Sequence, residues 1–330
     1  MTPIAPHISA FLQDHLPRQK GASLQTCETY SYAFQLLFIF ASQRLKVSPS
    51  ALYLEQIDAS MVMDFLQTLS TERKNVTRTR NARLVAIKSF MHFIEYREPA
   101  LLEQIQRILA IPTKLEDERL IHWLNTVEIA TVLNEPDLST RSGIRDRAMM
   151  HLCYAAGLRV SELVGLPISA LQLQPKPQIH IMGKGRRERA LPLWSDVVRD
   201  VRAWLAVRGN ASVPEVFLNS RGLTMTRFGF EYVLSKHVRS AGKINPSIAK
   251  KHITPHSLRH SCAMLILETT GDIRKVSLWL GHASLQTTEI YLRADPAEKI
   301  AMVEKATPLR LKKGTFNVPD KLIALLKGGR

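Results

Sequence analysis

Cysteine is scarce in this chain, and acidic residues are outnumbered. The 330 residues include three cysteines, Cys27, Cys153 and Cys262. They are far apart and odd in number, which excludes a disulfide framework. Cys153 and Cys262 sit among apolar residues and read as packed free thiols of a reducing compartment. None has the spacing of a zinc site. Long hydrophobic runs are missing as well. The longest, Leu36 to Ala41, is far too short to span a bilayer. No basic segment followed by an apolar stretch opens the chain, so no secretory signal is expected. These absences predict a cytoplasmic protein with no membrane partner. No internal repeat at solenoid periods is visible.

What is present points to a basic, globular protein. Hydrophobic residues make up 45% of the chain, enough for real cores, and the length predicts two domains. Lys and Arg number 45 against 29 Asp and Glu, a formal net charge of +16. That balance favours a polyanionic partner, nucleic acid above all. The bland alternative is a basic soluble protein without one.

Residues 1–110 read as a helical domain. Leu24 to Arg44 carries Tyr30, Phe34, Leu37, Phe38 and Ala41 at near-helical spacing. Met61 to Leu69 reads as a short helix with Ser60 as its N-cap. Thr77 to Tyr96 is longer, with an apolar face of Leu84, Ile87, Phe90, Met91 and Ile94 and a basic face of Arg78, Arg80, Arg83 and Lys88. Such a helix can lie along a phosphate backbone, or its charges can simply be solvated. Residues 111–120, with Pro112 and mixed charge, read as a linker. A second domain over 121–300 is expected to be mainly helical with one small hairpin, Gln178 to Leu193, where Ile179 and Ile181 alternate with polar residues around Gly183-Lys184-Gly185. Residues 301–330 form a basic tail ending in a short apolar helix, Lys321 to Leu326, that must bury itself on its own domain or on a neighbouring subunit. The fold class is thus mainly α with a small β-hairpin or sheet (α+β).

The residues suited to chemistry fall in an ordered row. Thr254 can cap a helix whose first turn holds Pro255, and His256 and Arg259, three apart, share one face of it. The helix N-terminus favours an anion there, and arginine can grip two phosphate oxygens at once. Arg159 is a second clamp, with Glu162 three residues on to orient a neighbour. Lys184 sits between two glycines at the hairpin tip and can protonate a leaving alkoxide. Arg186, Arg187 and Arg189 can lower its pKa or bind a polyanion directly. His282 follows Gly281 past a helix end, and Tyr291 lies nine positions later. Each piece alone has an ordinary use: a surface His and Arg, a helix ion pair, a polar turn, a histidine on a helix dipole, a packed tyrosine. A tyrosine becomes a nucleophile only when cations or a base favour its phenolate.

Taken together, the row resembles the tyrosine recombinase (phage integrase) family, in its two-domain, Xer-like or transposon-integrase-like form. The match lies in Gly-Leu-Arg-Val-Ser-Glu-Leu, His-Ser-Leu-Arg-His and Leu-Gly-His-Ala-Ser-Leu-Gln-Thr-Thr-Glu-Ile-Tyr, over roughly residues 120–295. The resemblance implies a helical core-DNA-binding domain ahead of a catalytic domain. It implies a site-specific recombinase that breaks and rejoins DNA through a 3′-phosphotyrosyl intermediate, without metal, ATP or other cofactor. Tyr291 is then the nucleophile, with Arg159, Lys184, His256, Arg259 and His282 catalytic and Glu162 supporting. Arg78, Arg80, Arg83, Lys88, Arg186, Arg187 and Arg189 are expected on DNA. The implied partners are a double-stranded recombination site and three further copies of the chain, a homotetramer on two sites, associated with the nucleoid. The other readings are a silent DNA-binding regulator of the same fold and a type IB topoisomerase-like enzyme that relaxes DNA. Target sequence, accessory partners and cis or trans delivery of Tyr291 are left open by the residues.

Overall fold

A computed structural model describes residues 1–116, 121–183, 188–282 and 284–294. Lys184, Arg186, Arg187 and the tail at 301–330 lie outside the described residues. The chain divides into two compact units, Met1–Glu118 and Arg119–Arg330. No described helix is long and apolar enough to cross a membrane.

The first unit is helical. Helix α1, Ile4–Ala10, runs into a π-helical stretch, Phe11–Gln19. Then come α2, Leu24–Leu45, α3, Ala59–Thr71, α4, Thr77–Ile94, and α5, Leu102–Leu109. Ser23 starts α2 by accepting the amide of Thr26. Asp58, not Ser60, caps α3, accepting the Met61 amide at 2.7 Å. The carboxylate stands one turn ahead of the free amides, as the cap geometry demands. Aromatic rings fill the centre: Phe11 and Phe34 each meet Phe90 at 5.3 Å, edge to face.

Helix α4 buries Leu84, Ile87, Phe90, Met91 and Ile94, as its pattern predicts. Its basic face is smaller than expected. Arg80 lies one turn before Leu84 and two before Ile87, on the apolar stripe, and is 7% exposed. Its guanidinium donates to the Pro112 carbonyl at 3.1 Å, so it holds the segment after α5 rather than facing a polyanion. Arg83 is half-buried, donates to the Thr29 carbonyl at 3.1 Å and lies over the Tyr32 ring. Arg78 remains exposed, beside Glu116, and Lys88 is half-buried.

The second unit is mainly helical, with helices packed on one another and a small three-stranded antiparallel sheet. Helix α6, Thr126–Asn134, precedes α7, Arg141–Ala155, and α8, Val160–Val164. Strands β1, Leu171–Gln172, β2, Gln178–Met182, and β3, Glu188–Pro192, follow in order β1-β2-β3. The expected hairpin is β2-β3, with Ile179 opposite Leu191 and Ile181 opposite Arg189; two-residue β1 is too short to show a period. Helices α9, Ser195–Arg208, α10, Arg227–Ile244, α11, Pro246–Ala249, α12, Pro255–Thr270, α13, Ile273–Leu280, and α14, Gln286–Ala294, complete it. Trp204 centres one part of the core, its indole donating to the Val216 carbonyl at 2.8 Å.

The turn into α7 leaves no room for a side chain at Gly143, where a Cβ would stand 1.9 Å from the Asp137 carbonyl oxygen. Gly143→Ala must push that backbone aside. It should cost about 2 kcal/mol and lower the melting temperature by roughly 4–8 °C in a thermal scan. An unchanged melt would contradict the packing described.

Candidate active site

Helix α7 ends at a turn in which Gly157 takes φ +56° and carries the chain to Arg159, the N-cap of α8. A Cβ on Gly157 would meet Leu280 at 2.6 Å and the Cys262 thiol at 3.2 Å, so glycine is required on two counts. Glu162, in the first turn of α8, accepts the Arg159 amide at 2.9 Å and its guanidinium at 2.8 Å. Its other partner comes from β3. Arg189 forks onto the same carboxylate, at 2.8 Å and 3.3 Å. The Glu162 side chain is 6% exposed. Its neighbours, Arg189 and Arg159 with their hydrogen bonds, offset its burial and hold the carboxyl below the usual range.

Arg189 was expected on DNA as part of a hairpin cluster. Its side chain instead turns inward, 10% exposed, because its β3 position faces the core beside Ile181. Beyond Glu162 it lies against Gly281, where a Cβ would come 3.0 Å from its Nη1. Gly281 closes α13 at φ +64° and delivers His282. Arg189 therefore joins the start of α8, the hairpin and the end of α13.

Arg259, on α12, is 3% exposed. It donates to the Gly157 carbonyl and, at 2.7 Å, to that of Leu280. Burial, and then Arg159, pull its pKa down to about 10, still cationic at neutral pH. The histidines respond in the same sense. Burial, then Arg259 and Arg159, lower His256. Burial comes first for His260, then His256 and Arg259, bringing it to about 4. Burial again leads for His282, followed by Arg259, Arg159 and Arg189, and sets it at about 4. The Nδ1 of His282 shares a 2.8 Å hydrogen bond with the Thr288 hydroxyl. With Nδ1 accepting, Nε2–H is left to donate elsewhere.

Tyr291, on α14, is 2% exposed. Its ring stacks beside His282, centroids 6.5 Å apart, and its hydroxyl forms a 2.9 Å hydrogen bond with His260 Nδ1. Burial pushes the phenol up to about 12, against the opposing pull of Arg259 and Arg159. The structure thus brings together Arg159, Glu162, His256, Arg259, His282 and Tyr291. Arg189, His260 and Thr288 join them without having been assigned a place there. His260 had a visible signal: it stands four residues after His256, on the same face of α12. Thr288 had none. Three guanidiniums face one carboxylate, with the imidazoles neutral. The imbalance is one that a bound phosphate would satisfy.

The model of the phage integrase family matches residues 122–298, and that of its N-terminal SAM-like domain matches residues 8–98. The chain belongs to the phage integrase family. It is 37% identical to the integrase/recombinase y4rC of Sinorhizobium fredii, covering 98% of this chain and 97% of that one. It is 33% identical to the tyrosine recombinase XerC of Pelobacter propionicus, covering 93% and 97%. In fold it is similar to the XerH site-specific recombinase bound to a palindromic difH substrate, with TM-score 0.68 and 22% identity over 90% of this chain and 84% of that one. The Tn1549 transposon integrase in complex with transposon right-end DNA gives TM-score 0.70 and 15% identity over 92% and 98%.

Arg189→Met leaves Glu162 buried with a single guanidinium. It should cost about 3 kcal/mol in chemical denaturation at pH 7. The folded Glu162 carboxyl is depressed, so its stabilisation is present above the unfolded pKa and lost as pH falls through the folded value. The gap between wild type and variant should therefore narrow below about pH 4.5. A gap that is constant with pH would contradict the ion pair's role.

Proposed function

We propose that this protein is a site-specific DNA recombinase that exchanges strands through a covalent link between Tyr291 and a 3′-phosphate. The observation that carries the reading is the position of the Tyr291 phenol, within the electrostatic reach of Arg159 and Arg259 and hydrogen-bonded to an imidazole. Membership of the phage integrase family supports it, as do relatives named tyrosine recombinases.

In this reading Tyr291 attacks the scissile phosphate and frees a 5′-hydroxyl. Arg159 and Arg259 take the non-bridging oxygens, where charge grows in the transition state, and His282 donates from Nε2. Glu162 and Arg189 hold Arg159 in register. Lys184 is assigned to protonate the leaving 5′-oxygen. One phosphoester replaces another, so the exchange needs no ATP. Residues 1–110 form the core-DNA-binding domain and 121–300 the catalytic domain, with 111–120 between them. Arg78, Arg83 and Lys88 contact the backbone from the first domain. Four copies on two sites carry out the exchange. The protein acts in the cytoplasm, on the nucleoid.

The target is obtained by selecting bound fragments of the host genome. On a nicked version of that site, wild type should leave a denaturant-resistant protein–DNA adduct, and Tyr291→Phe should bind equally but leave none. Adducts from Tyr291→Phe would overturn the nucleophile assignment. Binding without adducts from wild type would favour a silent regulator. Affinity should fall by about a thousandfold or more between 50 and 200 mM salt if the phosphate contacts number about six or more.

A further inference from the structure

The phenol that must lose a proton is 2% exposed, so in this conformation it cannot hand that proton directly to bulk water. Among the described residues, one group is hydrogen-bonded to it: His260 Nδ1, at 2.9 Å. The two rings meet edge to face, centroids 5.5 Å apart. His256 occupies the family position for a histidine here. Its ring stands one turn back on α12, 5.9 Å from that of His260 between centroids, and it is exposed. A group that accepts a proton must be in hydrogen-bond reach of it. We propose that His260, rather than His256, is the catalytic residue that takes the proton from Tyr291 during strand cleavage and returns it during rejoining.

The proposal rests on Tyr291 being the nucleophile. The Tyr291 oxygen forms a bond to phosphorus as the bond from phosphorus to the 5′-oxygen breaks. The phenol proton passes to His260 Nδ1, and the leaving oxygen takes a separate proton. Rejoining reverses both transfers. The groups facing His260 are His256 and Arg259 on its own helix, His282 after α13 and Tyr291 on α14. Burial, His256 and Arg259 keep the ring neutral before DNA arrives, so its acceptor nitrogen is free at neutral pH. An anionic phosphate at Arg259 answers the cation that opposes protonation of His260, so the ring gains basicity when the nucleophile needs it. Thr288 and His282 form the neighbouring pair, which leaves the phenol to His260.

The test is single-turnover cleavage of a nicked site whose scissile phosphate carries a 5′-bridging sulfur. Sulfur departs without a proton, so protonation of the leaving group drops out of the rate. Wild type should show a flat rate between pH 6 and 9. In His260→Asn the amide oxygen can still accept the phenol hydrogen bond but cannot carry the proton away. It should bind DNA normally, cleave about a hundredfold more slowly at pH 7 and gain about tenfold per pH unit, as the phenol must then ionise unaided. His256→Asn should keep the flat profile. A flat profile in His260→Asn, or the steep one in His256→Asn, would overturn the proposal. In 15N spectra of the wild-type protein, which no misfolded variant can confuse, His260 should carry its proton on Nε2. A proton on Nδ1 would overturn it too. Absence of any wild-type adduct, or adducts from Tyr291→Phe, would instead sink the recombinase reading itself.

Discussion

A single buried carboxylate sets the geometry of the second unit's polar centre. Glu162 draws Arg159 from its own helix start and Arg189 from strand β3. Arg189 in turn lies against Gly281, where a Cβ would crowd the guanidinium at 3.0 Å and the backbone takes φ +64°. The Glu162–Arg189 pair therefore connects three segments that are far apart in sequence. Arg259 adds a second brace by binding the carbonyls of Gly157 and Leu280, the chain just before Arg159 and just before Gly281. Both braces use arginine, whose fixed fork can satisfy two acceptors at once.

That scaffold concentrates positive charge. The histidines add no charge of their own, since burial first and the neighbouring guanidiniums next keep them neutral. What remains is an excess of fixed cations around a phenol. An environment of this kind does little for a phenol by itself, and Tyr291 is pushed up rather than down. In the proposed reaction it gains reactivity from a phosphate that brings its own negative charge to the arginines and from the imidazole hydrogen-bonded to its hydroxyl. Preorganised cations of this sort need no rearrangement as charge develops on the phosphate.

Much of this was legible in the residues. Helical periodicity placed α2 and α4, the Thr254 cap with Pro255 placed the start of α12, and alternation placed β2 and β3. The ordered motifs brought Arg159, Glu162, His256, Arg259, His282 and Tyr291 to one place. The failures have a common physical origin. Arginine is usually a surface cation, yet Arg80 and Arg189 each lie on an inward stripe of their element, where a carbonyl or a carboxylate receives them. The pattern was there, since Arg80 is in phase with Leu84 and Ile87. The role of His260 is not legible locally, because a hydrogen bond across thirty-one positions depends on how α14 packs against α12. Thr288 is hidden for the same reason. Asp58 displaced Ser60 as a cap because a shift of two residues in the start of a short helix leaves its apolar pattern intact.

The central claim is that the phenol at position 291 becomes covalently bonded to DNA. It is tested most directly by digesting the trapped protein–DNA complex with protease and nuclease and sequencing the nucleotide-bearing peptide by mass spectrometry. The account predicts one modified residue, Tyr291, carrying a 3′-linked nucleotide. A nucleotide on any other side chain, such as the buried Tyr154 or the exposed Tyr232, would contradict it.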